Sequence, residues 1–230
     1  MKAIFIHAKY KGKIDLEKIN INELPKKIGV VTTTQFLESA EKITAYLKKN
    51  GKQVFVDKIK QRNPGQLLGC DVDAALKIQN GIEAFLYIGS GNFHPLGIAF
   101  RTDKNIFCFN PVSGAFFLFD RKEAERYKRN KKANYVKFMH ANKIGIMVSI
   151  KPGQYSYKKA LEIKKKLIEM NKECFMFVFD TLDANEMRNF PFIDFWVNTA
   201  CPRIADDKDK KNIIDMQELE LSFNNFNTAC

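Results

Sequence analysis

A chain of 230 residues buries roughly 70% of its unfolded surface, enough for one large domain or two of about 100 residues each. Its 45% hydrophobic and 28% charged residues are ordinary globular material and exclude a disordered or fibrous chain. A formal charge of +12 predicts attraction to acidic surfaces or RNA at low salt.

No zinc-finger spacing, helix-turn-helix signature or RNP-type aromatic motif accompanies that charge, so direct nucleic-acid recognition is not the expectation. No apolar stretch approaches the roughly 18 residues of a membrane span. The opening "MKAIFIHAKYKGK" lacks the apolar region of a signal peptide, and the expected location is the cytoplasm.

In chain order, the first clear element is "KKIGVVTTTQ", a strand-like run from Lys26 to Gln35. Leu37, Ala40, Ile43 and Leu47 follow at helical spacing, and "NGKQVFVD" turns into a second strand. "DVDAALKIQN" reads as a short helix, and "EAFLYIGSG" and "NIFCFNP" as strands. Residues 121–137, "RKEAERYKRNKKANYVK", hold eight Lys or Arg and two Glu among 17. As a helix this run puts Ala124, Tyr127 and Lys131 on one side, and a solvated helical face is its plain reading.

From Asn142 the opening pattern returns. "NKIGIMVSIKPGQ" repeats the strand, Ala160, Ile163, Leu167 and Met170 repeat the helical face, and "NKECFMFVFD" repeats the turn and second strand. "DANEMRNF" reads as a short helical segment and "DFWVNTAC" as a further strand. Strands alternating with helices predict parallel sheets covered on both faces, that is, two Rossmann-like α/β domains related by an internal repeat.

In such sheets ligands bind beyond the carboxyl ends of the strands. The polar residues expected there are Thr32, Thr33, Thr34 and Gln35, then Gly89, Ser90 and Gly91, then Gln154, and finally Asn198 to Cys201. "GSGNFHPLG" is not the dinucleotide fingerprint, because His94 stands where the third glycine belongs. Its two readings are a ligand loop and a tight strand-to-helix turn.

The five cysteines, at 70, 108, 174, 201 and 230, are odd in number and widely spaced, which argues against a disulfide framework. Cys108 and Cys174 lie in or beside β-like apolar runs, where a free cysteine is a small core residue. Cys230 belongs to a terminal tail. Cys70, in "PGQLLGCD", and Cys201, in "NTACPR", instead sit at polar segment ends.

"GVVTTTQ", "PGQLLGCD", "FLYIGSGNFHPLG", "KPGQ" and "VNTACPRIADD", in this order, resemble the archaeal 2-(3-amino-3-carboxypropyl)histidine synthase family of diphthamide synthesis. The resemblance implies three Rossmann-like domains whose cysteines, one per domain, hold a single [4Fe-4S] cluster. It also implies a non-canonical radical use of S-adenosylmethionine, in which a 3-amino-3-carboxypropyl group is transferred to a histidine of elongation factor 2. By the same resemblance Cys70 and Cys201 are cluster ligands, and Thr33, Gln35, Ser90, Gly91, His94 and Gln154 contact S-adenosylmethionine. Asp206 and Asp207 read as helix caps or as neutralising nearby lysines, and Arg203 either as stabilising cluster charge or as a surface or capping arginine.

The family's first cysteine has no counterpart, because no cysteine precedes Cys70. The expected organisation is therefore residues 1–24 as a remnant strand and connector of a missing N-terminal domain, 25–120 as the domain carrying Cys70, and 121–230 as the domain carrying Cys201. The missing domain comes from another polypeptide, as in a split enzyme, or the chain is a fragment, or it is an accessory subunit of a homologous catalytic chain; homo- and hetero-oligomers both fit. The alternative from another class is a non-catalytic binding subunit that docks an acidic or RNA-associated partner.

Overall fold

The structure, a computed structural model, describes residues 4, 6–59, 63–69, 71–183, 185–202, 204 and 212–220. The chain divides into two compact units, Met1–Arg126 and Tyr127–Cys230.

In the first unit the elements are β1 (Lys27–Thr32), α1 (Leu37–Lys49), β2 (Gln53–Phe55), α2 (Asp73–Ile78), β3 (Ala84–Ile88), α3 (Phe93–Arg101), β4 (Asn105–Phe109) and β5 (Phe116–Leu118). They form a sheet of order β2-β1-β3-β4-β5, parallel except for the antiparallel β4–β5 pair. The central strands are continuous apolar runs because both faces are covered. Val31, Phe85, Tyr87, Ile106 and Cys108 pack with Ala74, Ala75, Ile98 and Ala99 of α2 and α3. Alternate residues Ile28, Val30, Leu86, Ile88, Phe107 and Phe109 face Ala40, Ile43 and Leu47 of α1. Burying a side chain such as Ile43 or Leu47 is worth about 1.5–3 kcal/mol.

The second unit contains β6 (Lys143–Ser149), α5 (Tyr157–Glu169), β7 (Glu173–Phe179), β8 (Phe195–Asn198) and β9 (Ile213–Asp215). Its sheet, β7-β6-β8-β9, is parallel throughout. On one face Ile144, Ile146, Val148, Phe195 and Val197 pack against Ala160, Ile163 and Leu167 of α5. On the other, Met147, Trp196 and Ile213 meet Phe175, Phe177 and Phe190; the Phe177 ring lies 4.8 Å from Trp196 and 4.6 Å from Phe190. The unit boundary falls within α4 (Arg121–His140). The Lys172 ammonium closes the end of α4 by donating to the carbonyls of Phe138, Met139 and Ala141. Burial holds its pKa below the usual lysine range.

Several hydrogen bonds recur at matching places in the two units. Glu83 and Asp194, each just before a strand, accept the backbone N–H of Lys27 and Lys143, both at 2.8 Å. The chain leaves α1 through Gly51 at φ +78° and α5 through Asn171 at φ +59°. In both places the next N–H, of Lys52 or Lys172, returns 3.0 Å to a leucine carbonyl, Leu47 or Leu167. Glycine, and asparagine less readily, adopts that left-handed conformation.

The structure departs from the sequence expectations at several points. The first strand stops at Thr32, and Thr34–Phe36 is a 3-10 turn. "DANEMRNF" supplies only the 3-10 turn Glu186–Asn189. The first sheet is not purely parallel, since β5 runs against β4. No strand forms among the described residues 4 and 6–24, where two 3-10 turns, Leu16–Lys18 and Ile21–Glu23, are capped by Asp15 and Asn20. The expected remnant strand, which includes residues 1–3 and 5, falls partly outside the described residues.

Candidate functional site

Beyond β2 the chain returns to the first sheet at its carboxyl edge. Thr32 donates its N–H to the Gly65 carbonyl and accepts from Leu67 N–H, both at 2.8 Å, so residues 65–67 run beside the end of β1. Gly65 is required there: its φ is +70°, and a Cβ would stand 2.9 Å from the Val30 carbonyl oxygen. Gln66 is buried, donating through Nε2 to Thr34 Oγ1 at 2.6 Å and accepting from Asn63 Nδ2 at 2.9 Å. Leu68 and Asp71 then exchange both backbone hydrogen bonds, each 3.1 Å. Cys70, which separates Gly69 from Asp71 in the sequence, lies outside the described residues.

Thr33 is half-buried and Gln35 exposed; the Gln35 carbonyl accepts Tyr10 N–H at 2.8 Å. Thr32 pairs with Ile88 at the end of the adjacent β3, so the segments following these two strands share one sheet edge. Ser90 and Gly91 are exposed after β3, and His94 is half-buried in the first turn of α3. The Tyr87 hydroxyl lies 3.2 Å from His94 Nδ1 and 3.4 Å from the Ser90 carbonyl oxygen. The Tyr87 and His94 rings stack with centroids 5.7 Å apart, and the edge of Phe93 meets His94 at 5.3 Å. Burial pushes the Tyr87 phenol well above its ordinary range, so it remains a hydroxyl donor. When its proton is directed at Nδ1, the ring N–H of neutral His94 is on Nε2.

In the second unit Gln154 ends a tight turn. Its N–H donates to the Lys151 carbonyl at 3.0 Å, with Pro152 in the second place and Gly153 at φ +81° in the third, the pattern of a type II turn. Cys201 follows the adjacent strand, β8 pairing β6 through Met147 and Asn198. Asn198 and Thr199 are each 1% exposed, whereas Cys201 is half-buried. Within each unit, then, the expected residues that are described stand in segments following adjacent strands.

The other cysteines differ in setting. Cys108 is buried in the core of the first unit, and burial pushes its thiol up to about 12. Cys174 lies on the edge strand β7, its pKa raised by burial against the opposing pull of Lys164 and Lys172. Arg203, Asp206, Asp207 and Cys230 fall outside the described residues. Among the described residues no group of three His, Cys, Asp or Glu could hold a metal ion.

Two features were missed in the sequence. Tyr87, in an apolar strand, gave no polar signal. Lys131, read as part of a solvated face, is in fact mostly buried and pairs with Glu218 and, at 3.5 Å, with Asp215. Asp215 Oδ1 also accepts the N–H groups of Gln217 and Glu218, at 3.0 and 3.2 Å. Burial, then the Asp215 charge, pushes the Glu218 carboxyl up to about 8 against the influence of Lys131. A basic run whose acidic partners are 84 and 87 residues away (215 − 131 and 218 − 131) offers no local clue to that pairing.

The model of the family "Putative diphthamide synthesis protein" matches residues 1–229. The chain is 35% identical over 216 residues to the 2-(3-amino-3-carboxypropyl)histidine synthase of Pyrococcus horikoshii, covering 90% of this chain and 61% of that protein. It is 26% identical to the enzyme of the same name from Methanocaldococcus jannaschii, covering 98% and 63%. Both relatives are thus matched over somewhat less than two thirds of their length. The crystal structure of Dph2 from Pyrococcus horikoshii with a 4Fe-4S cluster aligns at a TM-score of 0.75 and 34% identity, over 87% of this chain and 58% of that one.

Proposed function

Because the chain belongs to the diphthamide synthesis family, we propose that it forms part of an iron–sulfur transferase that moves a 3-amino-3-carboxypropyl group from S-adenosylmethionine to a histidine of elongation factor 2. The observation that carries this reading is the Cys201 loop. A half-buried thiol stands at the carboxyl edge of a parallel sheet, in a chain matched by the family model over residues 1–229.

Cys201 suits a cluster ligand better than the other described cysteines. A thiolate is the ligand iron–sulfur clusters take; Cys108 is held protonated in the core, while the Cys201 Sγ makes no hydrogen bond among the described residues. Cys201 and Cys70 would hold the cluster, with the remaining thiolate supplied by a partner polypeptide contributing a further domain or by a homologous subunit. When bound, the cluster supplies the electron for radical cleavage of S-adenosylmethionine. Thr33, Gln35, Ser90, Gly91, His94 and Gln154 orient the amino, carboxylate and ribose groups of that ligand through hydroxyl, amide and backbone groups. Tyr87 holds the His94 ring in place through the contact to Nδ1.

The domain reading that accompanies this is residues 25–120 carrying Cys70 and residues 121–230 carrying Cys201, two Rossmann-like copies of one plan. The matching roles of Glu83 and Asp194 and of the exits from α1 and α5 support it. Residues 1–24 connect to a further domain, and the assembly works in the cytoplasm.

The test is anaerobic reconstitution with iron and sulfide, with iron measured per chain for wild type, Cys70→Ala and Cys201→Ala, alone and with a candidate partner polypeptide. Cluster-bearing protein is then given S-adenosylmethionine, a reductant and elongation factor 2. Iron lost in either variant, with a histidine gaining one 3-amino-3-carboxypropyl group, supports the reading. Iron binding indifferent to both substitutions overturns it.

A further inference from the structure

We infer that Asn198 is the positioning residue for the Cys201 thiol, an inference that rests on the cluster reading above. Asn198 is the last residue of β8, an inner strand between β6 and β9. At 1% exposure, its carboxamide is withdrawn from water, and burying an amide is tolerated only when its polar atoms are bonded. Both atoms are spent on the following loop. Oδ1 accepts Ala200 N–H at 3.0 Å, and Nδ2 donates to the Cys201 carbonyl at 2.8 Å.

The first bond alone makes an ordinary Asx turn, which would suffice to lead the chain out of the strand. The second fixes the cysteine residue itself. The same carbonyl also accepts Ile204 N–H at 3.0 Å, so the carbonyl of residue 201 has two donors. Thr199 anchors the start of the loop independently, with Oγ1 2.8 Å and N–H 3.1 Å from the Met147 carbonyl oxygen. The Cys201 carbonyl is therefore held by two donors, which fixes the peptide from which the thiol projects. Aspartate at 198 would retain the acceptor for Ala200 and replace the donor to Cys201 with a second oxygen, placing oxygen against oxygen. Alanine would remove both bonds.

The experiment compares the full chain as wild type, Asn198→Ala, Asn198→Asp and Thr199→Val, the last removing a loop anchor that does not touch Cys201. Alkylation of Cys201 by iodoacetamide is followed by mass spectrometry at one pH, with Cys174 as internal reference and circular dichroism as the fold check. Iron per chain and the visible and paramagnetic spectra are recorded after anaerobic reconstitution. Partners that orient a metal ligand typically account for about 10-fold or more in metal affinity. The expected result is iron retention weakened about 10-fold in both Asn198 variants and near wild type in Thr199→Val, with a changed Cys201 alkylation rate and altered cluster spectra confined to the Asn198 variants.

If the Asn198 variants lose only as much as Thr199→Val, or if Cys201 alkylation is unchanged in a folded Asn198→Asp, the inference is overturned. Should Asn198→Ala fail to fold, Asn198→Asp and Thr199→Val decide. If iron binding proves indifferent to Cys201→Ala, the cluster reading fails by itself; the alkylation comparison still decides whether Asn198 controls the thiol.

Discussion

The hydroxyl of Tyr87 lies 3.2 Å from Nδ1 of His94, with the two rings stacked. A strand residue that is 1% exposed thereby sets the orientation of a half-buried histidine at the mouth of the first sheet. Tyr87→Phe keeps the ring and deletes the hydroxyl. Loss of one such bond costs about 1 kcal/mol of stability. On the proposed reading, S-adenosylmethionine affinity, measured by calorimetry on the reconstituted protein, is expected to fall about 5- to 10-fold, roughly 1–1.4 kcal/mol. An unchanged affinity with the stability loss alone would reduce Tyr87 to packing.

Gly89 is needed for the same pair. A Cβ there would stand 2.4 Å from the Tyr87 hydroxyl oxygen, so Gly89→Ala must displace the ring or the turn. Overpacking of this kind costs about 1–3 kcal/mol, read as a lower urea midpoint. Combined with Tyr87→Leu, which removes the hydroxyl and the ring carbons that stand 2.6 and 3.1 Å from that Cβ, the penalty is expected to shrink; strict additivity would refute the clash as its cause.

Glu218 predicts a pH dependence. Its folded pKa, about 8, is above the ordinary value of 4.5, so the folded protein binds the extra proton. That contribution to stability is full below the ordinary value and is lost as pH rises through about 8. The thermal midpoint of wild type should therefore contain a component that falls from about pH 5 to pH 8. Glu218→Gln, which mimics the protonated acid, should flatten it. An identical slope in the variant would show that the proton resides elsewhere.

The cysteines offer a contrast. Cys108→Ala removes a thiol that burial keeps protonated and should leave iron per chain at the wild-type level, at a cost of about 1–2 kcal/mol in stability. Cys201→Ala should do the reverse. Iron lost from a folded Cys108→Ala protein would contradict its assignment to the core.

The sequence was most informative where pattern and length coincide. Ala40, Ile43 and Leu47, and again Ala160, Ile163 and Leu167, point inward because helical spacing repeats over 13-residue helices. β5 and β9 are three residues each, too short to carry an alternation, and their places depend on partners distant in the chain. The strand-end positions Ser90, Gly91 and Cys201 were legible because glycine and polar residues interrupt apolar runs. Tyr87 and Asn198 were harder to assign roles: the first reads as one more strand hydrophobe, and the second as one polar residue among several. What distinguishes them is the atom each polar group reaches, which spacing does not encode.

The paired backbone bonds between Leu68 and Asp71 place a constraint on number rather than on chemistry. With both partners bonded to each other, and Leu67 bonded back to Thr32, the count of residues between them is set at two. Substitutions at Gly69 can be absorbed by side-chain adjustment; one added or deleted residue cannot, because it unpairs both bonds at once. Among related chains, the interval from Gln66 to Asp71 should keep its length even where Gly69 is replaced.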